Sequence, residues 1–316
     1  MLNLRLASVL VLTICCSFTA TAQGPSAAQD LYRRGQQRYI KGDFEGAIEN
    51  FTKAIVANSQ PANGRRQPLQ DWKSELNSEG AASSSNRIGF VDPFTAAIYT
   101  DRALARMALK DFEGAISDCD LALAIDPGLE EAYNNRGSAR GASGDLSGAV
   151  TDFEMVMRIN PRNSNAFNNR GNIRAKKGDF QGALTDFDKS IVLNPRKAEV
   201  YCNRGHARRD SGDRNGALAD FEQAILINPR LPEAYHSRGL SMCDKDDADR
   251  AISDFSRAIE LDPQFAIAYG NRGLLKIRLG RTAEGEKDIE KCLMLDPSLR
   301  ERVEQRSKLA KERARQ

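Results

Sequence analysis

Proline returns along this chain at a fixed interval of 34 residues. The prolines on this lattice are Pro93, Pro127, Pro161, Pro195, Pro229, Pro263 and Pro297. Between them the same residue types come back at the same offsets, as in Tyr201, Gly205, Ala217 and Phe221 before Pro229. A long fixed period indicates an array of structural repeats, each packed against its neighbours. We therefore expect the 316 residues to form a stack of similar units and not two unrelated compact domains.

Each period has the pattern of a helical hairpin. Apolar residues recur at helical spacing on both sides of a Gly-Asp pair, such as Gly178-Asp179 or Gly212-Asp213. The glycine can adopt the left-handed conformation that ends a first helix, and the aspartate can cap the start of a second helix. The Asn-Pro or Asp-Pro step then ends the second helix. The periodicity thus predicts an all-α chain of paired helices.

The succession of aromatic-x-x-x-Gly, Ala-x-x-x-Phe and Pro within 34 residues resembles the tetratricopeptide repeat (TPR) family. The resemblance implies a right-handed superhelical solenoid of antiparallel helix pairs, whose first helices line a concave surface that binds protein. With the aromatic residue at position 4, the predicted repeats span residues 28–61, 96–129, 130–163, 164–197, 198–231, 232–265 and 266–299. Residues 62–95 are interpreted as an insertion or linker, with a decayed repeat as the alternative.

The first 22 residues have the pattern of a secretory signal peptide. Arg5 precedes an apolar run from Leu6 to Phe18, and an Ala-x-Ala sequence ends at Ala22. The run is shorter than the roughly 20 residues that a membrane-spanning helix needs. We therefore expect an exported protein, periplasmic or secreted, with no transmembrane segment after signal cleavage.

A basic stripe runs through the predicted first helices, because position 7 is Arg in six successive repeats and position 11 is usually basic. Such a stripe could be exposed and could attract nucleic acid. However, position 23 of the facing helix is Asp in the same six repeats. The favoured interpretation is an internal ladder of ion pairs, and no nucleic-acid partner is expected. Its central members are Arg136 with Asp152, Arg170 with Asp186, and Arg204 with Asp220.

Two segments outside the repeats carry open alternatives. Residues 62–95 contain the chain's one tryptophan, Trp72, which either packs on the first hairpin or anchors a partner. Residues 300–316 hold seven Lys or Arg against three Glu. They form either a capping helix for the last repeat or a basic tail that contacts lipid or nucleic acid.

The sequence has few of the residue patterns that catalysis requires. It lacks a Gly-rich phosphate loop, a Gly-x-Ser-x-Gly motif and a His-Glu-x-x-His motif. Its two histidines, His206 and His236, lie near Cys202 and Cys243 on predicted first helices, which leaves zinc binding as a minor alternative. We therefore predict no catalytic residue, no cofactor and no metal. The alternative function is an accessory or regulatory component of an enzyme complex, with or without a bound metal.

Asparagine recurs at position 6 of the predicted first helices, where side-chain amides can donate to and accept from the backbone of an extended peptide. A similar asparagine ladder lines the groove of the TPR region in O-linked N-acetylglucosamine transferases. The resemblance therefore implies a non-catalytic scaffold of the cell envelope that binds an extended protein segment. The predicted partner-binding residues are Asn134, Asn135, Asn168, Asn169, Asn172, Lys176, Asn203, His206, Arg209 and Asn271.

Overall fold

A computed structural model describes residues 26–59, 93–243 and 247–313. The predicted signal peptide, Trp72 and most of the predicted insertion lie outside these residues. The described residues form fifteen α-helices and one short 3₁₀ turn, with no strand among them, so the predicted all-α class is confirmed. None of these helices is both long and apolar enough to cross a membrane.

The contacts divide the chain into two units, residues 1–161 and 162–316. The helices of the first unit are α1 (Ala27–Ile40), α2 (Phe44–Asn58), α3 (Pro93–Ala108), α4 (Phe112–Ile125), α5 (Glu130–Ser143) and α6 (Leu146–Ile159). Consecutive helices pair into three hairpins, α1 with α2, α3 with α4 and α5 with α6. Within this unit, the second helix of each of the first two hairpins also packs against the first helix of the next hairpin.

The second unit repeats the same arrangement. Its helices are α7 (Ser164–Lys176), α8 (Phe180–Leu193), α9 (Ala198–Asp210), α10 (Arg214–Ile227), α11 (Pro232–Cys243), α12 (Ala248–Leu261), α13 (Ala266–Arg278), α14 (Thr282–Leu295) and α15 (Arg300–Arg313). Four hairpins, from α7–α8 to α13–α14, stack in order. The last helix, α15, packs mainly on α13 and buries Val303 and Ala310 beside Ile289 and Cys292. Despite its basic composition, α15 therefore covers apolar surface of the last hairpin.

In four of the described hairpins, the turn between the two helices follows from a Gly-Asp pair. Gly212 has a φ of 95°, and the Asp213 side chain accepts a hydrogen bond from the backbone N–H of Gly216, which caps α10. In the α3–α4 hairpin, Lys110 occupies the glycine position with a φ of 64°. It is the only non-glycine residue with a positive φ among the described residues, and it marks a strained turn.

Close approach of the two helices in a hairpin depends on a small residue facing a large one. A Cβ atom added to Gly205 would lie 2.7 Å from the ring of Phe221, and Gly171 has the same relation to Phe187. The α3–α4 hairpin reverses the sizes, with a buried alanine, Ala103, at the glycine position and Cys119 at the phenylalanine position. The volume at this contact is thus kept while the residues change.

Candidate functional site

The basic stripe lies between the two helices of each hairpin. In the α9–α10 hairpin, Arg204 Nη2 lies 2.6 Å from Asp220 Oδ1, and Arg208 Nη1 lies 2.9 Å from Asp220 Oδ2. Asp220 is 2% exposed, so both guanidinium groups are directed into the hairpin. The same contact, at 2.6–2.8 Å, joins Arg102 to Asp118, Arg136 to Asp152, Arg170 to Asp186, Arg238 to Asp254 and Arg272 to Asp288.

Each of several position-7 arginines also makes a contact that the sequence reasoning missed. Arg204 Nη1 lies 2.6 Å from Asp188 Oδ1, on the second helix of the preceding hairpin. Arg136 reaches Asp120 in the same way, also at 2.6 Å. The sequence contains a pattern that could have predicted this contact, because an acidic residue lies 16 positions before each of these arginines as well as 16 positions after it. Such an arginine therefore joins two hairpins, in addition to the two helices of its own.

The pairing holds Arg204 charged. Burial acts to lower the pKa of Arg204, but its hydrogen bonds with Asp220 and Asp188 outweigh burial and raise the pKa above its usual value. The Arg204 guanidinium also lies over the Tyr201 ring, 5.4 Å from the centroid. These contacts engage the guanidinium group inside the protein, so the stripe does not present an exposed basic surface.

The position-6 asparagines link first helices that are neighbours in the stack. In the second unit, the Nδ2 amide of Asn203 donates to Asn168 Oδ1 at 2.9 Å, and that of Asn271 contacts His236 Nε2 at 2.8 Å. In the first unit, the Nδ2 amide of Asn135 donates to the Thr100 carbonyl at 3.5 Å. Part of the hydrogen-bonding capacity of the predicted amide ladder is therefore used between helices.

Two of the predicted partner-binding asparagines are largely inaccessible. Asn135 and Asn168 are each 7% exposed, whereas Asn169 and Asn203 are half-buried. The more accessible predicted residues of the second unit are Asn172, which is half-buried, and Lys176, which is exposed. Arg209 is half-buried and lies 3.2 Å from Asp210. In the first unit, Asn134 is half-buried beside Asn135.

We use the term first-helix face for the surface of the second unit formed by Asn169, Asn172, Lys176, Asn203 and Arg209. These residues lie on two adjacent first helices, α7 and α9. The face offers amide donors and acceptors, together with two cationic groups near the C-terminal ends of the helices. This chemistry suits hydrogen bonding to a peptide backbone and attraction of a carboxylate.

The two histidines lie in the same stack of first helices and are mostly buried. His206 Nε2 lies 2.7 Å from Ser237 Oγ, and the His206 ring packs against Phe221. Burial, with smaller contributions from neighbouring charges such as Arg209, lowers the pKa of His206 and of His236 to about 4. Both imidazoles are therefore neutral at pH 7 and serve as packed, hydrogen-bonded side chains.

Neither Cys202 nor Cys243 forms a disulfide. Burial raises the pKa of Cys202 to about 12, so that thiol is protonated at pH 7. Within the described parts of the chain, no three His, Cys, Asp or Glu side chains are grouped so that they could hold a metal ion. The residues that suggested zinc at the sequence level are thus engaged in packing.

Two family models match part of the repeated region. A family model described as "TPR repeat" matches residues 171–208, and one described as "Tetratricopeptide repeat" matches residues 198–231 and 266–299. No curated protein matches the sequence at a significant level.

Several solved structures share the fold. A tetratricopeptide repeat protein from Parabacteroides merdae is similar over 90% of this chain and 98% of its own, with 19% identity and a TM-score of 0.64. PilF from Pseudomonas aeruginosa covers 64% of this chain and 92% of its own, with 18% identity and a TM-score of 0.54. A chain of the Cut9–Hcn1 hetero-tetramer of APC/C matches 92% of this chain and 56% of its own, with 12% identity and a TM-score of 0.61. At these identities the similarity concerns the fold alone.

Proposed function

Because this chain belongs to the tetratricopeptide repeat family, we propose that it is a non-catalytic scaffold that binds an extended segment of a partner protein on its first-helix face. The observation that carries the proposal is the row of partly accessible amides on adjacent first helices, Asn169 and Asn172 on α7 and Asn203 on α9. An extended peptide has unpaired backbone N–H and C=O groups along its length, and an amide side chain can pair with both.

The charges on this face favour a partner segment that carries a carboxylate. Lys176 lies in the last turn of α7, and Arg209 lies in the last turn of α9. The partner of Arg209 within the chain, Asp210, is itself 50% exposed, so solvent weakens that ion pair. An acidic side chain of the partner would be attracted to this end of the face at low salt and less so at high salt.

We also propose that the protein acts in the cell envelope, on the basis of the signal-like residues 1–22. Fractionation of cells that express the full chain tests this step separately. A mature form of lower mass in the periplasmic or extracellular fraction is expected. Recovery of the full-length chain in the cytosol would refute export while leaving the binding proposal standing.

Site-specific photocrosslinking tests the binding face. A photoreactive amino acid placed at Asn172 should form adducts with a partner when cells are irradiated. The matched control is Lys189, which is exposed on the second helix α8 of the same hairpin. Adducts at position 172 and not at position 189 are the expected result. Equal adduct formation at both positions would place the partner elsewhere and refute this face.

A further inference from the structure

The open side of the first hairpin carries a basic groove. Between α1 and α2 lies a groove of about 400 Å³ whose lining includes Leu31 and Asn50. Its cationic lining residues are Arg34, Arg38, Lys41 and Lys53, all of them exposed. In the repeat pattern, Arg34 is a position-7 arginine and Asn50 stands where the other hairpins have the buried aspartate. The groove therefore contains an arginine whose usual internal partner is replaced.

Asn50 does not substitute for that aspartate. Its Nδ2 amide donates to the Gly46 carbonyl at 2.7 Å, and the side chain carries no charge. Within residues 26–59, 93–243 and 247–313, Arg34 makes neither an ion pair nor a side-chain hydrogen bond. Two of the other cations are partly balanced, since Arg38 lies 3.4 Å from Asp43 and Lys53 lies 2.6 Å from Glu49. Among the described residues, Arg34 and Lys41 are thus the groove cations without a carboxylate, and Arg34 is the one at repeat position 7.

Elsewhere in the same protein, two position-7 arginines meet a hydroxyl group of the preceding hairpin on this side, and two meet a carboxylate. Arg136 meets Asp120 of α4 at 2.6 Å, and α4 is the second helix of the preceding hairpin. In the second unit, Arg204 meets Asp188 of α8 at 2.6 Å. In both cases the arginine receives a carboxylate from an α-helix that lies alongside its own hairpin. The α1–α2 pair is the first hairpin that the structure describes, and no described helix supplies that group to Arg34.

We propose that this groove docks an α-helix of a partner protein, which presents a carboxylate to Arg34 and an apolar side chain to Leu31. The proposal goes beyond the first-helix face, because it concerns another surface, in the first unit, and another form of partner. A second copy of this chain is a poorer occupant, because α15, the last helix that the structure describes, is itself rich in Lys and Arg. Charge complementarity therefore favours an acidic amphipathic helix from another protein.

A helical peptide taken from the chain itself provides the probe. The probe is a fluorescent, hydrocarbon-stapled peptide of residues 112–126 with Cys119→Ser, which carries Asp120 and copies the helix that meets Arg136. Its affinity for the full chain is measured by fluorescence anisotropy. Arg34→Gln should weaken binding about tenfold, which is typical of losing a charge-assisted hydrogen bond. The matched control is Arg33→Gln, since Arg33 is exposed and adjacent but does not line the groove. It should change the affinity less than about twofold.

Exchange of the acidic group on the probe completes the test. A peptide with Asp120→Asn should bind the wild-type chain as weakly as the Asp120 peptide binds the Arg34→Gln variant. Combining the Asp120→Asn peptide with the Arg34→Gln variant should lower the affinity little further. Equal affinities for the two peptides, or an unchanged affinity in Arg34→Gln, would overturn the proposal. Two other outcomes would also overturn it by naming another occupant. One is a dimer in sedimentation that Arg34→Gln abolishes, and the other is a tenfold gain in affinity when residues 62–92 are replaced by a Gly-Ser linker.

Discussion

Replacing Asp220 with asparagine should destabilise the second unit by about 3 kcal/mol. The substitution keeps the shape of the side chain but removes a charge that is 2% exposed and that accepts hydrogen bonds from both Arg204 and Arg208. The side chains of these arginines are only 15% and 27% exposed, so water compensates little. Breaking a buried ion pair by removing one partner costs about 3–5 kcal/mol. The lower end applies because Arg204 keeps its contact with Asp188.

The matched control is Asp188→Asn, which removes the other carboxylate of the same arginine. Asp188 is 57% exposed, so its loss should cost less than about 1 kcal/mol. Urea unfolding followed by circular dichroism gives the difference in free energy. Hydrogen exchange of the amides in α9 and α10 shows whether the loss is local, since repeat arrays do not always unfold in one step. Equal effects of the two substitutions would refute the reasoning that burial sets the strength of these pairs.

Three further substitutions or conditions have expected outcomes. Lys110→Gly should raise the stability of the first unit by about 1 kcal/mol in the same urea assay, because glycine removes the cost of a positive φ; no gain would show that the turn is not strained. Gly205→Ala should destabilise by about 1–3 kcal/mol through contact with the Phe221 ring, and adding Phe221→Cys should recover part of the loss; equal stabilities of the single and double variants would contradict the size argument. The low pKa values of His206 and His236 favour the neutral forms in the folded state, so their contribution is complete above pH 6.5 and is lost as pH falls toward 4. The free energy of unfolding from urea titrations should be lower at pH 5 than at pH 7.5 by about 2 kcal/mol per histidine, and glutamine at both positions should remove most of the difference.

The sequence was sufficient to predict the helix pairs, because the features that define them are local and recur. The glycine that ends a first helix and the aspartate that caps a second helix are neighbours, as in Gly212 and Asp213. Seven prolines at a constant spacing fix the length of the repeat. Pairing of Arg204 with Asp220 also followed from the period, since antiparallel helices place positions 7 and 23 side by side. The contact with Asp188 was not anticipated, because it depends on the angle at which successive hairpins stack, and that angle is a property of packing.

The accessibility of the predicted binding residues also depends on packing that the sequence does not specify. Sequence spacing placed Asn135, Asn168, Asn169 and Asn203 in one ladder, since they occur at equivalent or adjacent repeat positions. Spacing does not determine how deeply a side chain lies between neighbouring helices. Asn135 and Asn168 are buried, whereas Asn169 and Asn203 remain partly accessible.

The asparagines both join neighbouring helices and lie on the proposed binding face, and this overlap determines which substitution can test peptide binding. Asn203 donates to Asn168 between α9 and α7, so Asn203→Ala would leave the buried Asn168 oxygen without that donor and weaken the stack as well as the face. A loss of partner binding in that variant would therefore not distinguish a peptide contact from altered helix packing. Asn172 lies one helical turn from Asn168, toward the C-terminus of α7, and is more accessible. If the face binds a peptide, Asn172→Ala should reduce binding without changing the urea midpoint, and this pair of measurements separates the two roles of the asparagines.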